Sequence, residues 1–154
     1  MIKKILLTLA VFLGLASFAH AQNFNTITAI IDSPKITNAQ AAYLAASYMA
    51  VNNKINLTDR STEKDAFDLL KAKGFFTEKD NADDFITLKK LCSVFAKATD
   101  AKGGLFYMLS KQSPRYAYKE FVARGYVPAR SDPHSTVKGS DAIGLFNSIT
   151  GGGK

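Results

Sequence analysis

Three arginines and three tyrosines fall within one short stretch: Arg115, Tyr116, Tyr118, Arg124, Tyr126 and Arg130. A guanidinium presents paired N–H donors that fit a carboxylate or phosphate. A tyrosine presents a flat apolar face with a polar tip, which suits sugar rings and protein surfaces alike. Arg115 and Tyr118 are three residues apart and share a face if the segment is helical. These six residues are the candidate ligand-binding surface, for an anionic partner. In the competing reading Tyr118 and Tyr126 belong to the core and the arginines solvate the exterior.

Other reactive side chains are sparse. Past the first twenty-one residues the one histidine is His134, in the run Ser131-Asp132-Pro133-His134-Ser135. Nucleophilic hydrolysis needs a base beside a nucleophile and an orienting acid, and adjacency in a loop does not build that geometry. Cys92 is the only cysteine. It lies between Leu91 and Val94 in an apolar helical pattern, which points to a small buried hydrophobe. One histidine and one distant cysteine do not make a zinc site. Glu78, Asp80, Asp83 and Asp84 lack the spacing and central glycine of a calcium loop, so they read as a solvated acidic stretch. No phosphate-binding or dinucleotide fingerprint is present. The expectation is a non-catalytic chain with no cofactor and no metal.

The elements that must position these residues recur at a fixed period. Ile36-Thr37-Asn38-Ala39-Gln40-Ala41, Ile86-Thr87-Leu88-Lys89-Lys90-Leu91 and Val137-Lys138-Gly139-Ser140-Asp141-Ala142 are offset by about fifty residues. Apolar residues follow at i, i+3, i+4 and i+7: Ala41, Leu44, Ala45 and Tyr48; Leu91, Val94, Phe95 and Ala98; Ala142, Leu145, Phe146 and Ile149. That spacing makes one helical face in each segment. Thr37, Thr87 and Ser140 are candidate N-caps. Two further helices precede, Asp65 to Lys73 and Ala117 to Arg124, stopped by Gly74 and Gly125 in the left-handed position after a helix. Aromatic and apolar residues follow each glycine: Phe75-Phe76 and Tyr126-Val127. Polar loops then run from Thr77 to Asp84 and from Pro128 to Thr136. Lys102-Gly103-Gly104 precedes a short apolar helix, Leu105 to Leu109. Ser113-Pro114 opens the next helix, with proline at a tolerated first-turn position. Residues 23–31 are polar, then β-branched, and read as an extended arm or short strand. The fold class is mainly α: a small bundle of about three helix-loop-helix units, near residues 22–50, 62–100 and 103–150, with a flexible tail over 151–154.

The N-terminus carries an address. Lys3-Lys4, an apolar run from Ile5 to Phe18, and Ala19-His20-Ala21 before Gln22 follow the order of a secretory signal peptide. The run is shorter than a spanning helix needs, and no other stretch is apolar enough to span a bilayer. Cleavage after Ala21 leaves one domain of 133 residues, and its formal charge falls from +7 to +5 as Lys3 and Lys4 depart. The protein is expected in the periplasm or at the cell surface. With one thiol, the exported domain must hold together without a disulfide. Residues 59–84 carry eight acidic and five basic side chains, whereas those after Asp100 carry three acidic and eight basic. A basic C-terminal third suits an acidic glycan, a lipid surface or nucleic acid. Export argues against nucleic acid. Plain solubility explains a charge of +5 equally well.

The period and its short motifs resemble S-layer homology (SLH) domains. Leu70 to Phe76 with Ile86-Thr87, and Phe121 to Val127 with Val137, are similar to the family's glycine-terminated helix, polar loop and threonine-capped second helix. Ile36-Thr37-Asn38-Ala39-Gln40-Ala41 is the nearest local likeness. The resemblance spans roughly residues 33 to 149. The segment Lys102 to Glu120 also resembles small exported SLH-like proteins of spirochaetes. What the resemblance implies is non-covalent attachment to cell-wall polysaccharide, with three units around a pseudo-threefold axis. In that family an arginine of the second-helix motif dominates the glycan contact. Asn38, Leu88 and Gly139 stand in its place here, and Gln40, Lys90 and Asp141 stand where its acidic partner would be. The expected function is an exported module binding an anionic cell-wall glycan or peptidoglycan. The alternative is an adaptor that binds an envelope protein.

Overall fold

A computed structural model describes residues 24–58, 60–101 and 113–151. The segment expected to be a signal peptide, the short helix expected over 105–109 and the last three residues of the expected tail lie outside the described residues. Six helices are present among those described: α1 (24–31), α2 (Asn38–Val51), α3 (Glu63–Ala72), α4 (Leu88–Ala98), α5 (Pro114–Ala123) and α6 (Gly139–Gly151). No strand forms among them; two isolated bridges join Thr37 to Phe85 and Thr87 to Thr136. The mainly helical bundle expected from the periodicity is what the chain builds.

Each helix start has its own chemistry. The Thr37 hydroxyl accepts from the Gln40 amide, and the Gln40 side chain accepts from the Thr37 amide, closing a capping box. Thr62 and Asp65 make the same exchange at α3. Thr87 was expected to cap α4 with its hydroxyl but makes no such bond. Loop carbonyls do the work instead: the Leu88 amide donates to Ser135 O at 2.9 Å and the Lys89 amide to Pro133 O at 3.0 Å. Ser140 lies inside the first turn of α6 and is not its cap, because the helix opens at Gly139, whose amide donates to Ser33 O at 2.9 Å.

Helix ends follow one pattern. Gly74 and Gly125 adopt φ of +79° and +76°. The Phe75 amide returns to Leu70 O and the Tyr126 amide to Phe121 O. Asn53 and Asp100 take the same left-handed role after α2 and α4, with the Lys54 and Ala101 amides returning to Met49 O and Ala96 O.

Residues 24–31 are helical rather than extended. The β-branched content argues for a strand, but tertiary burial overrides so weak a propensity. Ile30 is fully buried, Ile27 packs against the core, and the Thr28 hydroxyl is satisfied by Phe24 O. Gly151, expected as the first residue of the tail, belongs to α6.

The core centres on α2, which is buried almost all round. Its alanines let α3 and α4 approach closely, and α5 packs on α4. The expected faces are buried at Ala41, Leu44, Ala45, Leu91, Val94, Phe95, Ala98, Ala142 and Leu145. Phe146 of α6 meets Phe95 of α4 and Tyr48 of α2, edge to face, at centroid separations of 4.8 and 5.3 Å. The three segments interlock in a closed circuit. The 77–85 loop satisfies the start of α2 through Asp84 O and Ala82 O, the 128–136 loop satisfies α4, and Ser33 satisfies α6. At the middle the Ile36 amide donates to Val137 O and the Ile86 amide to Ile36 O.

Candidate functional site

Pro114 opens α5, and the helix buries Ala117 and Phe121 on its inner side. The six candidate residues distribute around and beyond it. Tyr118 is half-buried and its hydroxyl donates to Ser131 O at 2.6 Å, tying α5 to the loop that follows it. Tyr126, thrown back by the Gly125 turn, packs edge-on against Phe121 at 5.7 Å. Both tyrosines therefore contribute to packing. Tyr116 is half-buried with the Lys119 ammonium 5.8 Å above its ring.

The arginines do not form one patch. Arg115 and Arg124 stand at opposite ends of α5, nine residues and half a turn out of phase, about 13 Å apart along the axis. Arg115 and Arg130 are exposed. The Arg124 Nε donates to Glu120 Oε1 at 2.8 Å, and Arg124 also bonds Tyr126; these contacts, Glu120 first, push its pKa above the usual range.

The loop beyond Tyr126 is held by its own short bonds. The Ser131 amide reaches Pro128 O, the Ser135 hydroxyl reaches Asp132 O, and the His134 amide reaches Asp132 Oδ1. The His134 ring faces Lys89, with Nδ1 and Nζ 3.3 Å apart. The Ser135 hydroxyl is spent on Asp132 O and the His134 ring faces Lys89, so no hydroxyl–imidazole–carboxylate relay is assembled among Asp132, His134 and Ser135. Cys92 is fully buried, and burial pushes its thiol up to about 12. The acidic loop is tied to the helices on either side: the Lys71 ammonium of α3 donates to Glu78 O and Asp80 O, and Lys90 of α4 pairs with the Asp80 carboxylate.

Between this loop and α6 lies an open groove of about 630 Å³. Its apolar floor includes Leu88, Val127, Val137 and Leu145. Its polar walls carry Ser131, Asp132, Ser135 and Thr136 from the loop and Ser140, Asp141 and Ser148 from α6. Of the six candidate residues, Tyr126 alone lines it. Sequence reasoning weighed Ser135 only beside His134 and Ser140 only as a helix cap, and did not join the groove hydroxyls into one site. Isolated hydroxyls carry no spacing signal, and only the docking of the loop on α4 and α6 brings them together. The chain matches no protein-family model, no curated protein and no solved structure.

Proposed function

We propose that the mature chain is an exported, non-catalytic envelope-binding module that associates with cell-wall polysaccharide or peptidoglycan. The observation that supports this most is the hydroxyl-walled groove between the 128–136 loop and α6, with Tyr126 in its lining. Sugars are bound by hydroxyls, carboxylates and a flat aromatic edge, whereas the exposed Arg115 and Arg130 suit anionic groups farther along a polymer. The likeness to SLH units adds to it, since three segments closing on one another leave grooves between loop and helix. The test is co-sedimentation of the purified mature protein with purified sacculi. Retention that weakens with salt is the expected result; no retention at low salt would remove the reading. Export itself is checked by the intact mass of the protein in the envelope fraction, which should begin at Gln22.

A second reading, an adaptor for an envelope protein, draws on a different surface. Phe24 and Val51 are 72% and 82% exposed. Val51, with Ile27, Tyr43 and Leu57, borders a separate shallow furrow of about 360 Å³. Light scattering with cross-linking distinguishes the two: an adaptor gives discrete complexes with protein, a glycan binder stays monomeric and sediments with the wall.

A further inference from the structure

The groove beside α6 has a charge character opposite to that of the chain as a whole. Two acidic residues line it from different walls, Asp132 from the loop, one of whose carboxylate oxygens already accepts from the His134 amide, and Asp141 from the first turn of α6, and none of the described residues lining it is basic. Two of its hydroxyls are spent on backbone carbonyls: Ser135 on Asp132 O and Ser148 on Gly144 O. Ser140 and Thr136 make no side-chain bond to another described residue, and nothing among the described residues pairs with the Asp141 carboxylate. Gly144 leaves the α6 backbone bare, since a Cβ there would meet nothing within 4 Å.

We propose that this groove holds a hexosamine unit with a free amino group, its ring against Tyr126 and the apolar floor and its ammonium between Asp132 and Asp141. The proposal rests on the envelope-binding reading and narrows it. An anionic sugar would meet two like charges, whereas a free ammonium gains a charge-assisted bond. Free hydroxyls on both walls match ring hydroxyls. The exposed arginines of α5 and the following turn are left for carboxylates elsewhere on the same polymer.

The test is calorimetric titration of the mature protein in low salt with three probes: a glucosamine tetramer, its N-acetylated counterpart and a galacturonic acid tetramer. The glucosamine tetramer should bind at least about five-fold more tightly than the acetylated one, the size of one partly exposed ion pair. Asp141→Asn should abolish that preference. Gly144→Gln, which fills the groove from an open helical position, should abolish binding while the melting temperature is kept. Equal or tighter binding of the acetylated or uronic probe, a preference that survives Asp141→Asn, or unchanged binding by Gly144→Gln would each overturn the assignment. Wild-type retention on sacculi without amine preference sinks the groove alone; amine binding without retention sinks the envelope reading alone.

Discussion

Cys92 lies on the buried side of α4 with no exposed surface, and that burial pushes its thiol up to about 12. At pH 8 the reactive thiolate is then roughly one molecule in ten thousand. A disulfide exchange reagent should leave the native protein untouched over hours and label it stoichiometrically in urea; rapid native labelling would show the site to be open. Asp80 behaves differently. Burial raises its pKa, but the Lys90 ammonium and the Thr77 amide and hydroxyl outweigh it and hold the carboxyl below its usual range. A lowered pKa in the folded state contributes stability above the unfolded value, lost as pH falls through the folded one. Lys90→Met should cost about 2 kcal/mol at pH 7, and the gap from wild type should narrow below about pH 4 in urea titrations. Cys92 was legible from its neighbours, because burial of a small apolar residue follows from helical phase. Tyr118 was legible only in part: its aromatic body reads as core, but the bond to Ser131 O, thirteen residues on, exists only after the loop folds back.

Glycines separate two kinds of constraint at the level of the elements. At Gly74 and Gly125 a Cβ would touch nothing within 4 Å, so only the left-handed backbone is at issue. Alanine there should cost about 1 kcal/mol. At Gly139 an added Cβ would overlap the carbonyl oxygen of Ile30 and approach that of Ile31 to 3.0 Å. Those atoms belong to the backbone of α1, which is pinned by the fully buried Ile30, so relief is expensive. Gly139→Ala should cost several times what Gly74→Ala does, measured as the shift in urea midpoint at constant slope. Equal effects would mean that α1 yields freely. Helix stops were readable because glycine after an apolar face has one common use. Gly139 was not, since its need comes from another segment's backbone. The helical state of residues 24–31 was hidden for the same reason: it depends on contacts with distant segments, Ile27 beside Tyr43 and Leu57 and the Ile30 carbonyl against Gly139, which override the β preference of these residues.

Closure of the three segments on one another is a property of the whole chain. The fifty-residue period was visible in the β-branched residues Ile36, Ile86 and Val137, and those three are what the central bonds connect. The order of interlocking was not visible, since carbonyl-to-amide contacts such as Ser33 with Gly139 leave no mark on side-chain pattern. The circuit makes the first segment and the last mutually dependent. Ile30 seats against the start of α6, the Ile36 amide bonds Val137 O, and Ser33 O takes the Gly139 amide, so α1 and the 32–36 turn hold α6 down. α3, by contrast, packs mainly on α2. Ile30→Ala removes a fully buried side chain and should cost about 3 kcal/mol. Because the circuit opens at that joint, amide exchange should accelerate first over residues 139–151 and the Ile36 amide, while α3 keeps its protection until global unfolding. Hydrogen-exchange mass spectrometry resolves the two outcomes. Uniform acceleration across α3 and α6 together would show that the segments unfold as one block and that the joint at Gly139 carries no special share of the closure.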